Sequence, residues 1–387
     1  MHDFDLHGVV GVRVVDGTPH DIATVRRQLG PIDATLEREP DITIRFVDSA
    51  TSLPMTLVGV GESGFNDDGF FLLQGKGGVR ARVSLPFDLF GGPVEIVCER
   101  RMPAVPHLLA IINLTALTKG VLPLHATAFT TGSGTATTGV LVAGWSKGGK
   151  TETLLACMSE GARYVGDEWV FLTPDGQMHG LPEPIRLWSW QLEQMPALLG
   201  ARPARDRRRL ATWKNIARLA DRTAGSGLPG AGIVRRAAPM LGRQAYLQVP
   251  PAELFGPESI ALHGSLDAVV LVVSHDAPET EAQPVGPGEI AQRMRASLEE
   301  ERAPLMTHYR HFRYAFPDRV NPILETAGEL EAKLLASLLD DRPAAKVAHP
   351  HPCDMGVLGR TVLRAARDAV GRSHVAANDP ETSRDLS

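Results

Sequence analysis

The stretch Gly144-Trp145-Ser146-Lys147-Gly148-Gly149-Lys150-Thr151 decides how the fold of this chain is interpreted. It fits the pattern G-x-x-x-x-G-K-[ST] of a phosphate-binding loop. An apolar run at 139–143 precedes it and predicts a buried strand, and residues 152–158 after it predict a helix. In this setting glycines let successive backbone N–H groups converge on phosphate oxygens, and the helix N-terminus adds positive potential. The stretch therefore predicts a nucleotide site.

The side chains of this loop have separate expected roles. Lys150 would reach the terminal phosphates, and Thr151 would offer its hydroxyl to a Mg²⁺ ion. We expect the nucleotide to be bound by Gly144, Trp145, Ser146, Lys147, Gly148, Gly149, Lys150, Thr151 and Glu152. Lys147 is either an additional cation over the phosphates or the sign of a differently shaped loop.

The composition limits the class of protein. The chain has 387 residues, of which 43% are hydrophobic and 22% charged, and its net charge of −5 gives no general attraction to nucleic acid. Three widely spaced cysteines fit a reducing compartment, and the N-terminus lacks a signal-peptide pattern. The longest apolar stretch, 103–124, is interrupted by polar residues and proline. We expect a cytoplasmic protein without a membrane or nucleic-acid partner; a homo-oligomer is left open.

The pattern along the chain predicts three regions. Residues 1–100 contain short alternating runs, typical of an antiparallel β layer. The region 101–345 would be the catalytic domain, with strands at 121–129, 138–143, 163–172 and 267–273. The region 346–387 would be a C-terminal helix with a frayed tail. Helices are expected at 105–117, 190–222, 287–302, 324–340 and 354–371.

Two short segments on either side of the loop add candidates for chemistry. Phosphoryl transfer needs charge neutralisation at the phosphates, an in-line acceptor and a group that orients or deprotonates it. Asp167, on the strand after the loop, is the candidate general base. Its neighbour Glu168 would point to the opposite face of a regular strand, so both reach one site only if the strand ends or bulges there. Glu168 would then help to hold the metal.

The order of these segments resembles the C-terminal catalytic domain of HPr kinase/phosphorylase, in the phosphoenolpyruvate carboxykinase-like group of P-loop enzymes. The resemblance rests on Leu124-His125-Ala126, a hairpin, the loop ending Gly149-Lys150-Thr151-Glu152-Thr153, and Gly166-Asp167-Glu168. It covers 122–172 closely and 90–320 loosely. It implies an α/β fold in which helices flank a central mixed sheet, ATP and Mg²⁺ as cofactors, and catalytic roles for Asp167, Lys150 and His125. By position alone, His125 would be a buried structural histidine.

The chain departs from that family at three points. The loop carries Trp145 and Lys147 where a small or acidic residue and a glycine are usual. The acidic pair is Asp-Glu rather than Asp-Asp, which puts a metal-binding role for Glu168 in doubt. The glycine-rich signature of the authentic enzymes is absent, so HPr itself is not the expected substrate.

Other residues allow two interpretations each. Arg186, within a segment similar to one in smaller HPr-kinase-like proteins, either contacts the nucleotide or begins a helix with an aromatic anchor. Arg235, Arg236 and Arg243 either close over the triphosphate or are surface charge. The segment 349–353 holds possible metal ligands, but alternating prolines favour a structural role, and 308–314 predicts an amphipathic helix.

These observations favour an ATP- and Mg²⁺-dependent kinase that phosphorylates a hydroxyl of a peptide, a protein or a small molecule. The alternative is a P-loop NTP hydrolase or nucleotide-dependent switch, since 267–276 can be interpreted as a Walker-B-like strand. A non-catalytic nucleotide-binding protein and phosphoenolpyruvate carboxykinase-type chemistry are the remaining hypotheses. The sequence does not distinguish among the acceptors.

Overall fold

The computed structural model describes residues 1–59, 61–74, 81–100, 102–132, 134, 137–224 and 246–378. The chain is a mixed α/β protein with several sheets flanked by helices. It divides into two compact units, one formed by Met1–Glu183 with Ala261–Ser387 and the other by Pro184–Ile260.

The first hundred residues form a nine-stranded sheet with the order β3-β1-β2-β4-β9-β8-β7-β6-β5. Its strands are β1 (His2–Leu6), β2 (Val10–Val15), β3 (Asp33–Ala34), β4 (Ile42–Val47), β5 (Thr56–Val58), β6 (Ser63–Asn66), β7 (Gly69–Gln74), β8 (Ala81–Ser84) and β9 (Val94–Glu99). The prediction that this layer is antiparallel is wrong in part. β4 pairs in parallel with both β2 and β9, and helix α1 (Pro19–Leu29) makes the crossover that a parallel pair requires.

The loop lies in a second, six-stranded sheet with the order β13-β11-β12-β19-β21-β20. Its strands are β11 (Thr127–Thr131), β12 (Thr138–Ala143), β13 (Arg163–Gly166), β19 (Ala268–His275), β20 (Glu281–Pro284) and β21 (Ala344–Pro350). β12, β19 and β21 run parallel, so their carboxyl ends share one edge of the sheet. The boundary expected at 345/346 falls inside β21, which lies between β19 and β20.

A third sheet has four antiparallel strands, β10 (Leu122–His125), β14 (Trp169–Leu172), β15 (Gln177–Gly180) and β18 (His263–Ser265). The single strands expected at 121–129 and 163–172 are each divided between this sheet and the previous one. β10 passes into β11 at Ala126, and β13 passes into β14 at Asp167 and Glu168. The Ala126 N–H donates to the Glu168 carbonyl at 3.1 Å and ties the two breaks together.

Helices cover both faces of the loop-bearing sheet. Helix α3 (Lys150–Ser159) follows the loop and packs on α10 (Met355–Asn378), which also contacts β19, β20 and β21. The opposite face shares an apolar core with α8 (Pro287–Ala315) and α9 (Pro322–Leu339). A further apolar core joins the N-terminal sheet to α2 (Leu108–Thr118), α8 and α9.

The unit Pro184–Ile260 contains the antiparallel pair β16 (Ile185–Trp188) and β17 (Tyr246–Val249). It also contains α4 (Ser189–Glu193), α5 (Pro196–Ala201), α6 (Ala204–Ala224) and α7 (Pro251–Phe255). The helical region expected at 190–222 is thus three helices, separated where Pro196 and Pro203 interrupt the hydrogen-bond ladder.

The helix expected at 287–302 is longer than the sequence indicated. α8 continues through Pro304 to Ala315 and includes the amphipathic segment expected at 308–314. Tyr309 and Phe312 of that segment are buried, so packing outweighs the cost of a proline within a helix. Among the residues that the structure describes, no helix combines the length and apolar character needed to span a bilayer.

Candidate functional site

The loop between β12 and α3 has a conformation that requires glycine at two positions. At Gly149 the φ angle is 103°, in the region that glycine adopts without steric cost. At Gly144 an added β-carbon would lie 2.7 Å from the Val272 carbonyl oxygen of β19, which is closer than atoms pack. The sheet therefore holds the start of the loop tightly, and the turn into α3 depends on a backbone that a larger residue would strain.

The first turn of α3 has no side-chain cap, so its backbone N–H groups are open to an anion. Glu152 lies in this turn. The Lys150 ammonium is buried and donates to the carbonyl oxygens of Gly144 at 3.1 Å and Trp145 at 3.0 Å. Burial lowers the pKa of Lys150, and the surrounding carboxylates, led by Glu168 and Asp167, oppose that shift. A cation thus lies beneath the loop.

The loop and the acidic pair meet through Thr151 and Asp167. The Thr151 hydroxyl donates to Asp167 Oδ2 at 3.1 Å, and the Asp167 side chain is only 4% exposed. Burial and then the negative charge of Glu168 raise the pKa of Asp167 to about 7, against the effects of the Thr151 hydrogen bond and Lys150. A carboxyl group whose pKa lies near neutrality can accept a proton from a hydroxyl at physiological pH.

Glu168 adopts a left-handed conformation with φ of 65°, which ends the regular strand. The condition set by the sequence, that the strand end or bulge at this pair, is met. Glu168 Oε2 lies 2.9 Å from His125 Nε2, while half of its side chain, 53%, remains exposed. His125 therefore contacts the acidic pair rather than packing as an isolated core residue.

A second carboxylate reaches His125 from α8. Glu301 Oε1 lies 2.7 Å from His125 Nδ1, although the angle there falls outside hydrogen-bond geometry, so we describe it as an ion pair. Burial alone lowers the pKa of His125, but Glu168 and Glu301 outweigh it and raise the pKa. The sequence did not indicate Glu301, because it is one of several glutamates on a long helix.

Glu183 is another site residue that the sequence did not indicate. Burial raises its pKa well above the ordinary value, and the charges of Glu168 and Asp167 add to the shift. Its Oε1 is buried and has no hydrogen-bond partner among the described residues. The one available signal was its position between two prolines directly after a strand.

The remaining loop side chains face outward. Trp145 is 51% exposed, Ser146 is half-buried and Lys147 is exposed. Lys147 has a φ of 62°. Among the described non-glycine residues with positive φ, four are aspartate or histidine, types that tolerate this region. Of the other three, Lys147 and Glu168 both lie in this site, so backbone strain is concentrated there.

A histidine of β21 lies under the loop. His349 is fully buried, and its Nε2 lies 3.2 Å from the Gly148 carbonyl oxygen. The alternating prolines of 349–353 indicated a structural role for this segment, and the structure gives it a partner that spacing could not reveal.

Within the described residues, the protein ligands would suffice for Mg²⁺ only if the phosphates of a bound nucleotide completed the set. No group of three or more His, Cys, Asp or Glu side chains in this part of the chain is arranged to hold a metal ion. Mg²⁺ is commonly bound by one or two carboxylates, water and substrate phosphates. Thr151, Asp167 and Glu168 fit that donor set.

Of the other predicted cations, the structure describes Arg186. Arg186 lies in the unit Pro184–Ile260, on β16 rather than at a helix start, and its guanidinium lies 4.9 Å from the centre of the Tyr246 ring. Arg235, Arg236 and Arg243 lie outside the described residues.

Comparison with protein families gives no match, and none of the curated proteins matches the sequence. A function is therefore inferred from the residues of the site itself.

Proposed function

We propose that this protein is a P-loop kinase of HPr-kinase-like fold, which transfers the γ-phosphoryl group of ATP to a hydroxyl acceptor. The observation that carries the proposal is the contact between Thr151 and Asp167, because it joins a phosphate-binding loop to a buried carboxylate of raised pKa. The acceptor is a serine of a peptide or protein, or a small molecule. All three cysteines are buried thiols that form no disulfide, which favours action in the reducing cytoplasm.

The chemistry of transfer divides among the loop amides and three side chains. The loop amides and Lys150 would bind the phosphates and neutralise charge that develops in transfer. Asp167 would accept the proton of the acceptor hydroxyl. His125, held between Glu168 and Glu301, would contribute positive charge beside the transferred group when protonated.

Thr151 and Glu168 would hold Mg²⁺, with Asp167 next to them. When bound, the ion would supply positive charge that neutralises the phosphates. The exposed half of Glu168 leaves its carboxylate accessible from solvent.

The test is to incubate the protein with γ-labelled ATP, Mg²⁺ and an extract of its source cell, and to identify the labelled product. Lys150→Ala and Asp167→Asn should each lower transfer about 100-fold or more while the protein stays folded. Asp341→Asn makes the same chemical change at an exposed turn and should keep full activity. Undiminished transfer by both site variants, or no binding of MgATP by folded wild-type protein in calorimetry, would overturn the proposal.

The hydrolase alternative has one observation in its favour. β19, the strand expected to be Walker-B-like, is the parallel neighbour of β12. Asp276, just beyond it, is exposed, and no contact of its side chain with the loop is found within the described residues. The same experiment separates the two functions, because a hydrolase releases labelled inorganic phosphate and leaves every acceptor unlabelled.

A further inference from the structure

The Gly148–Gly149 peptide of the loop is anchored from below by a residue 201 positions away. His349 lies on β21, separated from the loop strand β12 by β19, and is fully buried. Its Nε2 faces the Gly148 carbonyl oxygen at 3.2 Å, and its Nδ1 lies 2.8 Å from the Pro350 carbonyl oxygen. Both carbonyl oxygens only accept, and a neutral imidazole carries one proton, so the bond to Gly148 forms in the tautomer that has its proton on Nε2.

The same ring occupies the space next to Gly149. A β-carbon added to Gly149 would lie 2.1 Å from His349 Nε2 and 2.6 Å from Cε1. These distances are far shorter than contact distances between non-bonded atoms. The imidazole therefore fixes the loop in two ways, by a hydrogen bond and by filling the volume beneath the turn.

The orientation of this peptide matters for anion binding. In a trans peptide the carbonyl and the following N–H point in opposite directions. When the Gly148 carbonyl is directed down onto His349, the Gly149 N–H is directed up, toward the side where an anion would bind. A flipped peptide would instead present a carbonyl oxygen, which repels phosphate.

We propose that His349 is a positioning residue that sets the conformation of the phosphate-binding loop by anchoring the Gly148 carbonyl. The C-terminal strand is thus part of the nucleotide site, although none of its side chains needs to touch the nucleotide. The consequence for catalysis rests on the proposed kinase function, whereas the effect on loop conformation does not.

The first experiment measures MgATP affinity by calorimetry. His349→Leu keeps much of the buried volume but removes the donor, and should weaken binding about 10- to 100-fold. His349→Gln restores an N–H donor at similar reach and should bind within about threefold of wild type. Val347→Ala, on the same face of β21, removes buried methyl groups and controls for general loss of stability. It should bind MgATP normally. Equal affinity for the Leu variant and wild type would overturn the proposal.

The second experiment needs no nucleotide. Gly149→Ala and His349→Ala should each lower Tm. The loss of Tm in the double variant should be smaller than the sum of the two single losses by about 2 °C or more, because removing the ring relieves the clash. Strictly additive shifts would overturn the positioning role. Wild-type protein that binds no MgATP but shows this coupling would overturn the kinase proposal alone.

Discussion

The raised pKa of Asp167 leads to a pH prediction. Its causes are burial and then the charge of Glu168, and the pKa reaches about 7. A general base must be ionised, so kcat/KM for MgATP should rise with pH through about 7, since this ratio reports groups of the free enzyme. In Glu168→Gln the repelling charge is gone, so the pKa of Asp167 should fall and the acidic limb should move to lower pH.

Glu301→Gln is the matched control for this prediction. It removes a carboxylate that touches His125 and is not among the main causes of the pKa shift of Asp167. Normalised pH profiles of wild type and Glu301→Gln should therefore share one acidic limb. If the limb of Glu168→Gln also coincides with theirs, Asp167 is not the group whose ionisation controls the rate.

The raised pKa of Asp167 also makes the stability of the folded protein depend on pH. Because the folded pKa lies above the ordinary value of 3.8, folding favours the protonated carboxyl. The associated stability is fully present below pH 4 and is lost as the pH rises through about 7. Asp167→Asn should then be at least as stable as wild type at pH 8, which separates loss of transfer from loss of folding.

At the level of single residues, the site could be predicted where its chemistry follows a local spacing. The loop and the acidic pair each lie within a few consecutive residues, so their proximity could be inferred from a strand-loop-helix pattern. Glu301, Glu183 and His349 could not be found in this way, because their positions depend on how α8, the segment after β15, and β21 pack around the site. Their residue types are common, and no local pattern distinguishes them.

At the level of elements, the helices and strands were largely predictable, but the breaks that create the site were not. Each of the runs 121–129 and 163–172 has the composition of one strand. The division at Ala126 and at Asp167–Glu168 arises because the two ends of each run pair in different sheets. Pairing partners are a property of tertiary structure, so alternation within a run cannot locate the break.

The packing of α10 on α3 gives a prediction at this scale. At Gly359 an added β-carbon would lie 2.9 Å from the Ala156 carbonyl oxygen of α3, whereas at Gly371 of the same helix it would meet nothing within 4 Å. Gly359→Ala should therefore destabilise the protein by about 1–3 kcal/mol through overpacking. Gly371→Ala should stabilise it by about 0.5–1 kcal/mol through helix propensity.

Urea unfolding of the two variants measures this difference directly, because the chemical change is identical and only the surroundings differ. A stabilising Gly359→Ala would show that α3 and α10 do not approach as closely as described. The support that the C-terminal segment gives to α3, and so to the loop that precedes it, would then be in doubt.

At the scale of the whole molecule, the apolar core continues across the domain boundary that was expected at residue 100. Phe70 and Phe87 of the N-terminal region pack against Phe312 of α8, with ring centres 5.8 and 5.6 Å apart. Asn321, at the start of α9, donates to the carbonyl oxygens of Phe87 at 2.7 Å and Phe90 at 2.9 Å. Composition shows a β-rich segment, but it does not show that the segment shares its core with helices more than two hundred residues later.

This shared core predicts that the N-terminal sheet and the loop-bearing sheet unfold together. Phe312→Ala, far from the loop on α8, should cost about 3–5 kcal/mol. It should shift a single transition seen both by near-ultraviolet circular dichroism and by MgATP binding.

A fragment of residues 101–387 should lack native packing, because it exposes the faces of α8 and α9 that the first hundred residues cover. A chain ending at Asn378, where α10 ends, is the control and should fold. Two separate transitions, or a fragment that binds MgATP as the full chain does, would show that the first hundred residues are an independent domain.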